Sequence, residues 1–193
     1  MALHMLMQVI LWRMEKCFKL LESAEVMAIT IRPFQENNEE FVLGLNKKNQ
    51  EVLIPMDNKE IRFLCDKAEL FDIAYVDDVP AGYIIALREG IQEYDYKSYK
   101  WFCENYSKFL YIDQVVVDRE YLNQGLGTYL YQNAFEHAKR IGVEIVTAAI
   151  TEDNETSIKF HERMGFKIVG EQLIRKGTTR IIQQVKDLSK EDG

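Results

Sequence analysis

Between residues 109 and 164 the chain changes its hydrophobic period three times, and few folds accept that order. Phe109 to Val117 is a β-branched, largely apolar run that predicts a strand. A polar turn follows, and Gly125 then opens a stretch in which Leu126, Leu130, Ala134, Ala138 and Ile141 form one stripe at helical spacing. Glu144 to Ile150 is apolar on both faces, as a strand in the middle of a sheet should be. Asn154 to Met164 is helical again, with Gly165 as a left-handed terminator. Two more strand patterns, Phe166 to Ile174 and Thr178 to Val185, complete the series. Strand–helix–strand–helix–strand implies an α/β sandwich around one mixed sheet.

The first half is consistent with the same layer. Ile29 to Arg32 alternates and reads as a strand ended by Pro33. Residues 36 to 50 suggest a helix with Phe41, Val42 and Leu45 interleaved. Asn58 to Leu70 reads as another, with Ile61, Leu64, Ala68 and Cys65 inward. Phe71 to Val76, a turn at Asp77 to Pro80, and Ala81 to Leu87 read as a hairpin. Residues 89 to 108 break the pattern. They carry Tyr94, Tyr96, Tyr99, Trp101, Phe102 and Tyr106 with Asp95 and Glu104 among them, and a long insertion between strands predicts a functional or partner-binding segment. Two readings stay open for it: closure over a cationic substrate, or packing of the loop or a dimer contact. On the first, loss of the loop should alter substrate choice and leave the cofactor site intact.

Leu3, Met7, Ile10, Met14, Phe18 and Leu21 give residues 1–26 an amphipathic helical pattern. The run from Met5 to Trp12 is too short to span a bilayer, and no cleavage-site pattern follows it. This segment is expected to be an extension that packs on its own domain or on a twin subunit, and the second alternative implies a homodimer. The main domain is placed at 27–187 and a polar tail at 188–193.

The chain has 193 residues and a net charge of −7. That length builds a core without disulfides or metals, and the acidic balance argues against nucleic acid. Cys17, Cys65 and Cys103 are widely spaced and form no CxxC pair; His4, His137 and His161 form no metal-ligand spacing. No metal site is expected. Reduced cysteines in the cytoplasm are the default. His137 is read as a solvated helix-face residue.

A turn with two glycines at a helix start exposes backbone amides where the helix dipole adds positive potential, and phosphate binds well there. The turn lacks the Gly-Lys-Ser/Thr of a P-loop, and Leu130 stands where a dinucleotide fingerprint needs a third glycine. Downstream lies Asn154, Ser157, Phe160, His161 and Gly165-Phe166. Taken together, Leu122-Asn-Gln-Gly125-Leu-Gly127 and this second run resemble the two cofactor motifs of the GNAT acetyltransferase superfamily, at matching spacing. The resemblance covers roughly residues 28 to 187 and is most specific from 109 to 166. Two positions depart from it: Leu122 replaces the usual Arg or Gln, and His161 stands where many relatives have Tyr.

The resemblance implies an α/β fold with a central mixed, mostly antiparallel sheet flanked by helices, and acetyl-CoA as the cofactor. It implies that the backbone of Val115, Val116 and Val117 pairs with the pantetheine arm and supplies an oxyanion donor. It implies that amides of Asn123, Gln124, Gly125, Leu126, Gly127 and Thr128 hold the pyrophosphate. Asn154 would bond the pantetheine, and Phe160 would line the channel or serve as plain core. The activity implied is direct transfer of an acetyl group to a small-molecule or peptide amine. An alkyl amine is mostly protonated at neutral pH, so a base is needed. Asp113, on the strand two residues before Val115, is the expected base or part of a water relay. Glu152 and Asp153 are alternatives. His161 is the expected proton donor to the departing thiolate, or else a packed histidine. A catalytically silent acyl-CoA-binding module is the alternative reading. Neither Cys65 nor Cys103 has a His neighbour that would make it a nucleophile.

Overall fold

The computed structural model describes residues 28–174 and 179–190. The expected N-terminal helix lies outside them. Seven strands form one sheet: β1 (Ile29–Pro33), β2 (Ala68–Val76), β3 (Val79–Arg88), β4 (Leu110–Val117), β5 (Ile145–Thr151), β6 (Lys167–Ile174) and β7 (Thr179–Asp187). Their order is β1-β2-β3-β4-β5-β7-β6. Every pairing is antiparallel except β4 with β5. The described helices are α1 (Glu39–Lys48), α2 (Asn58–Lys67), α3 (Lys97–Asn105), α4 (Leu126–Arg140) and α5 (Glu155–Arg163). None is long and apolar enough to cross a membrane.

The sheet buries both faces. On one, Leu126, Leu130, Ala134 and Ala138 of α4 meet Ile84, Ala86, Leu110, Ile112 and Val146, with Phe160 of α5 packed alongside. This is the stripe that the helical spacing predicts. On the other face, Val42 and Leu45 of α1, Ile61 and Leu64 of α2, and Tyr99 and Phe102 of α3 cover Ile73, Tyr83, Ile85 and Tyr111. Leu188, assigned to the polar tail by sequence, is buried, and its amide donates to the Glu144 carbonyl at 2.7 Å.

Three expectations need correcting. The helix read through Leu70 stops at Lys67, because Ala68 and Leu70 pair with Leu87 and Ala86 of β3. Tertiary pairing overrides a helical pattern at that boundary. Cys65 is exposed rather than inward. The insertion is not a loop that closes from outside. It contains α3, and Tyr94, Tyr99 and Phe102 are at most 3% exposed, while Asp95 and Glu104 face solvent. Burial of Phe102 alone stabilises the fold by about 1.5–3 kcal/mol. Trp101 packs so closely on β6 that a Cβ at Gly170 would lie 2.6 Å from its ring. Deleting the segment would therefore open the apolar layer under β3 and β4.

Candidate active site

The sheet forks at its centre. β4 meets β5 only through Leu110, Tyr111 and Ile112, opposite Val146, Thr147 and Ala148. Val115, Val116 and Val117 stay paired with Ile84, Tyr83 and Gly82 of β3, but have no partner on the β5 side. On the far branch, Ala149 to Thr151 continue with β7. The fork leaves an unpaired backbone edge inside the sheet, where an extended ligand can add as a strand would.

The polar turn lies at the open end of that edge. Asp118 ends the strand and accepts from Lys48 at 3.1 Å. The chain then passes through Asn123 at φ 62° and Gly125 at φ 84° and ψ −3° before α4 begins. Only glycine adopts that last conformation without strain. Asp57 caps α2 by accepting from Lys59 and Glu60, both at 2.8 Å, and Asn154 caps α5 by accepting from the Ser157 amide at 3.1 Å. Gly125 offers α4 no side-chain cap. The first amides of α4, at Leu126, Gly127 and Thr128, therefore remain available at the positive end of the dipole. A Cβ at Gly125 would meet nothing within 4 Å, so the cradle is open. Leu122, 52% exposed, is on its rim.

Asp113 is the first residue beyond the last β4–β5 pair. It is also the odd residue of a bulge: Gln114 pairs with Ile85 and Ile112 with Ala86, which leaves Asp113 without a partner on β3. A bulge puts two consecutive side chains on one face. Asp113 and Gln114 both turn toward α1 and α2, while Val115 and Val117 turn toward α4. The Tyr94 hydroxyl donates to Asp113 Oδ1. Gln114 Oε1 accepts from Tyr83 at 2.8 Å and from Asn46 Nδ2 at 3.1 Å, and Asn46 Oδ1 accepts from the Met56 amide at 2.9 Å. This buried network fixes the bulge. Burial raises the Asp113 pKa to about 6; the Tyr94 hydrogen bond opposes the rise and the Glu60 carboxylate adds to it.

A family model described as the acetyltransferase (GNAT) family matches residues 27–166. The chain belongs to the GNAT acetyltransferase family. A 74-residue segment is 32% identical to an uncharacterized N-acetyltransferase of Methanocaldococcus jannaschii, covering 38% of this chain and 31% of that one. A 57-residue segment is 39% identical to the L-methionine sulfoximine/L-methionine sulfone acetyltransferase of Pseudomonas aeruginosa, covering 30% and 33%. The matched segment thus spans about a third of the length of these curated relatives. Among solved structures, Ard1 from Thermoplasma volcanium superposes with a TM-score of 0.68 at 17% identity, covering 83% of this chain and 98% of that one. Arabidopsis thaliana Naa50, in complex with the bisubstrate analogue CoA-Ac-MVNAL, gives 0.62 at 19%, covering 82% and 98%. At these identities the structures establish the fold.

The remaining GNAT motif residues lie on α5 and its two ends. Asn154 spends its side-chain oxygen on the helix cap. Phe160 lies against the cradle, with its Cζ 3.6 Å from where a Cβ at Gly127 would be, and the Arg163 guanidinium is 5.9 Å over its ring. His161 is 4% exposed and has no free ring nitrogen. Nδ1 lies 2.7 Å from Gln184 Oε1, and Nε2 lies 2.5 Å from the Tyr131 hydroxyl. An amide oxygen accepts only, so Nδ1 carries the proton and Nε2 accepts from Tyr131. Burial lowers the ring's pKa to about 4. A neutral His161 in this arrangement has no proton to give at Nε2. The Tyr131 hydroxyl is buried too, and burial pushes its pKa well above the usual phenol range, so its proton stays on it. The pair has no sequence signal because Tyr131 shares its helical face with ordinary core residues.

The other candidates are elsewhere. Glu152 pairs with Arg180 at 3.0 Å, and Asp153 is exposed. His137 is not simply solvated; it lies 2.9 Å from Glu69 and 2.8 Å from Arg140. Among the described residues no group of His, Cys, Asp and Glu side chains converges as a metal site would.

Proposed function

We propose that this protein is an acetyl-CoA-dependent N-acetyltransferase acting on a small-molecule or peptide amine, with Asp113 as the general base. The observation that carries the reading is the placement of Asp113 at the apex of the fork. The same fork presents a free backbone edge and leads to an uncapped helix start. The residues fit acetyl-CoA: the edge of Val115 to Val117 suits the pantetheine arm, and the open amides from Asn123 to Thr128 suit the pyrophosphate. Acetyl-CoA supplies an acyl group activated as a thioester.

The chain's own residues do the rest. An amide of the Val115–Val117 edge polarises the acyl carbonyl. Asp113 takes the proton from the amine at Oδ2, which has no partner among the described residues. Its raised pKa brings it nearer that of an amine, which eases the transfer. Phe63 and Tyr96, both half-buried beside the Tyr94–Asp113 pair, give the amine an aromatic, acidic reception together with Glu60. The relatives support amines as the class: one analogue carries a peptide and another relative is named for methionine derivatives. His161, with its Nδ1 proton held by Gln184 and its Nε2 accepting from Tyr131, serves as a packed histidine of the α4–α5 face, and the departing thiolate takes its proton from solvent. Free thiols at Cys65 and Cys103 accord with the cytoplasm.

Calorimetric titration of the full chain tests the cofactor assignment. Acetyl-CoA should bind with micromolar affinity, and ATP and NAD should not. His161→Ala should lower the melting temperature through the buried Tyr131 and Gln184 groups it leaves unpaired, while the folded protein keeps acetyl-CoA affinity and turnover within about twofold. Binding of ATP or NAD at the same strength, or none of acetyl-CoA, contradicts the reading.

A further inference from the structure

The insertion between β3 and β4 delivers one side chain to the base. Tyr94 is 3% exposed, and its ring is held on three sides: Tyr96 at 4.6 Å, the edge of Tyr99 at 5.1 Å and Phe63 at 6.0 Å. Its hydroxyl has one hydrogen bond, donated to Asp113 Oδ1. Burial and the neighbouring carboxylate push its own pKa well above the usual phenol range, so it stays a protonated donor at every working pH. Asp113 is itself the bulged residue of β4, without a cross-strand partner to define its direction. Among the described residues, the hydrogen bond from Tyr94 is the one side-chain hydrogen bond that orients its carboxylate.

We propose that Tyr94 is the positioning residue for the base: its hydroxyl pins Oδ1 of Asp113, and Oδ2 is left to receive the acceptor's proton. The inference rests on Asp113 acting as the base. In the transfer the amine nitrogen bonds to the acyl carbon, its proton passes to Oδ2, and the carbon–sulfur bond breaks with its electron pair on sulfur. Tyr94 keeps its own proton throughout.

Asp113 faces titratable groups from every element around it: Tyr94 of the insertion and Glu60 of α2 act on its carboxylate, and the carboxylate in turn raises the phenols of Tyr96 in the insertion, Tyr83 of β3 and Tyr111 of β4. Tyr94 is the one that donates to the carboxylate, and Glu60 opposes its charge. Two substitutions therefore have opposite signs. Tyr94→Phe removes the donor and keeps the ring, and Glu60→Gln removes the repulsion.

The test is the titration of Asp113 in the full chain. It would be followed by NMR of carboxyl-labelled aspartate, with Asp113→Asn identifying the signal, beside the pH profile of acetyl transfer from acetyl-CoA to benzylamine, butylamine and a peptide N-terminus. The Tyr94→Phe midpoint should rise by about one pH unit and the acidic limb of kcat/KM should move with it. On the alkaline plateau kcat should fall about tenfold through lost alignment, with acetyl-CoA binding within twofold. Glu60→Gln should move the midpoint down. Unchanged midpoints and an unchanged plateau in Tyr94→Phe would overturn the inference. The NMR signal reports the pair even without turnover. A protein that shows the shift but acetylates none of the amines refutes the enzymatic reading; one that acetylates them with an unmoved titration refutes the role of Tyr94.

Discussion

Asp113 bears its charge against burial and the Glu60 carboxylate, with the Tyr94 hydroxyl as its favourable contact. Burial pushes its carboxyl up to about 6 in the folded protein, from the ordinary 3.8 it has in the unfolded chain. A raised folded pKa means that this group's contribution to stability is full below the unfolded value and is lost as pH rises through about 6. Asp113→Asn removes the charge and keeps an oxygen that accepts from Tyr94. The variant should melt about 2–4 °C above wild type at pH 8, and the gain should vanish towards pH 4. Thermal melts across that range check it; an equal gain at both ends would mean that the charge is not what costs stability. On the proposal that Asp113 is the base, the same substitution should damage turnover, a trade-off of stability against activity. At His161 the motif position and the residue type left two readings, a proton donor or a packed histidine. Its two hydrogen bonds depend on Tyr131 and Gln184, which are remote in sequence, so they had no local signature.

Among the elements, the strand–turn–helix unit is the most exacting. Gly125 adopts φ 84° at the mouth of an uncapped helix, and alanine there carries a strain of about 1–2 kcal/mol. Gly125→Ala should lower acetyl-CoA affinity by about tenfold or more, because relief of that strain turns the first amides of α4 out of alignment. Leu122→Arg should act in the opposite direction, by about twofold to fivefold, through a charge added at the rim. Calorimetry on the pair gives both signs, and an unchanged Gly125→Ala affinity would remove the phosphate from this turn. Period and punctuation made these elements legible: α4 from its stripe, β5 from apolarity on both faces, the turn from its glycines. The bulge at Asp113 was not legible, since strict alternation puts residues 113, 115 and 117 on one face. The structure puts Asp113 on one face and Val115 and Val117 on the other. The helix within 97–105 was hidden by its aromatics, which look like a surface loop until Tyr99 and Phe102 are seen to complete a core. The boundary at Ala68 was set by pairing with β3, which no local pattern encodes.

At the scale of the molecule, the sheet separates two tasks. The face of α4 and α5 carries the cradle, Phe160 and the Tyr131–His161 pair. The opposite face, under α1, α2 and α3, carries Asp113, Glu60 and the aromatic surround. The strands β4 and β5 part beyond Ile112 and Ala148, and on the proposed function an acyl donor on one side meets an amine from the other through that fork. Acetyl-CoA at a hundredfold excess over its dissociation constant should add about 2.7 kcal/mol to folding stability if the fork closes on it. The most direct measurement is the release of free thiol from acetyl-CoA by the full chain in the presence of a broad amine panel, beside Asp113→Asn at pH 8. The account predicts thiol release that depends on an amine, with a matching N-acetyl product, reduced about a hundredfold or more in Asp113→Asn. No amine-dependent release from a folded protein that binds acetyl-CoA, or an undiminished rate in Asp113→Asn, would contradict it.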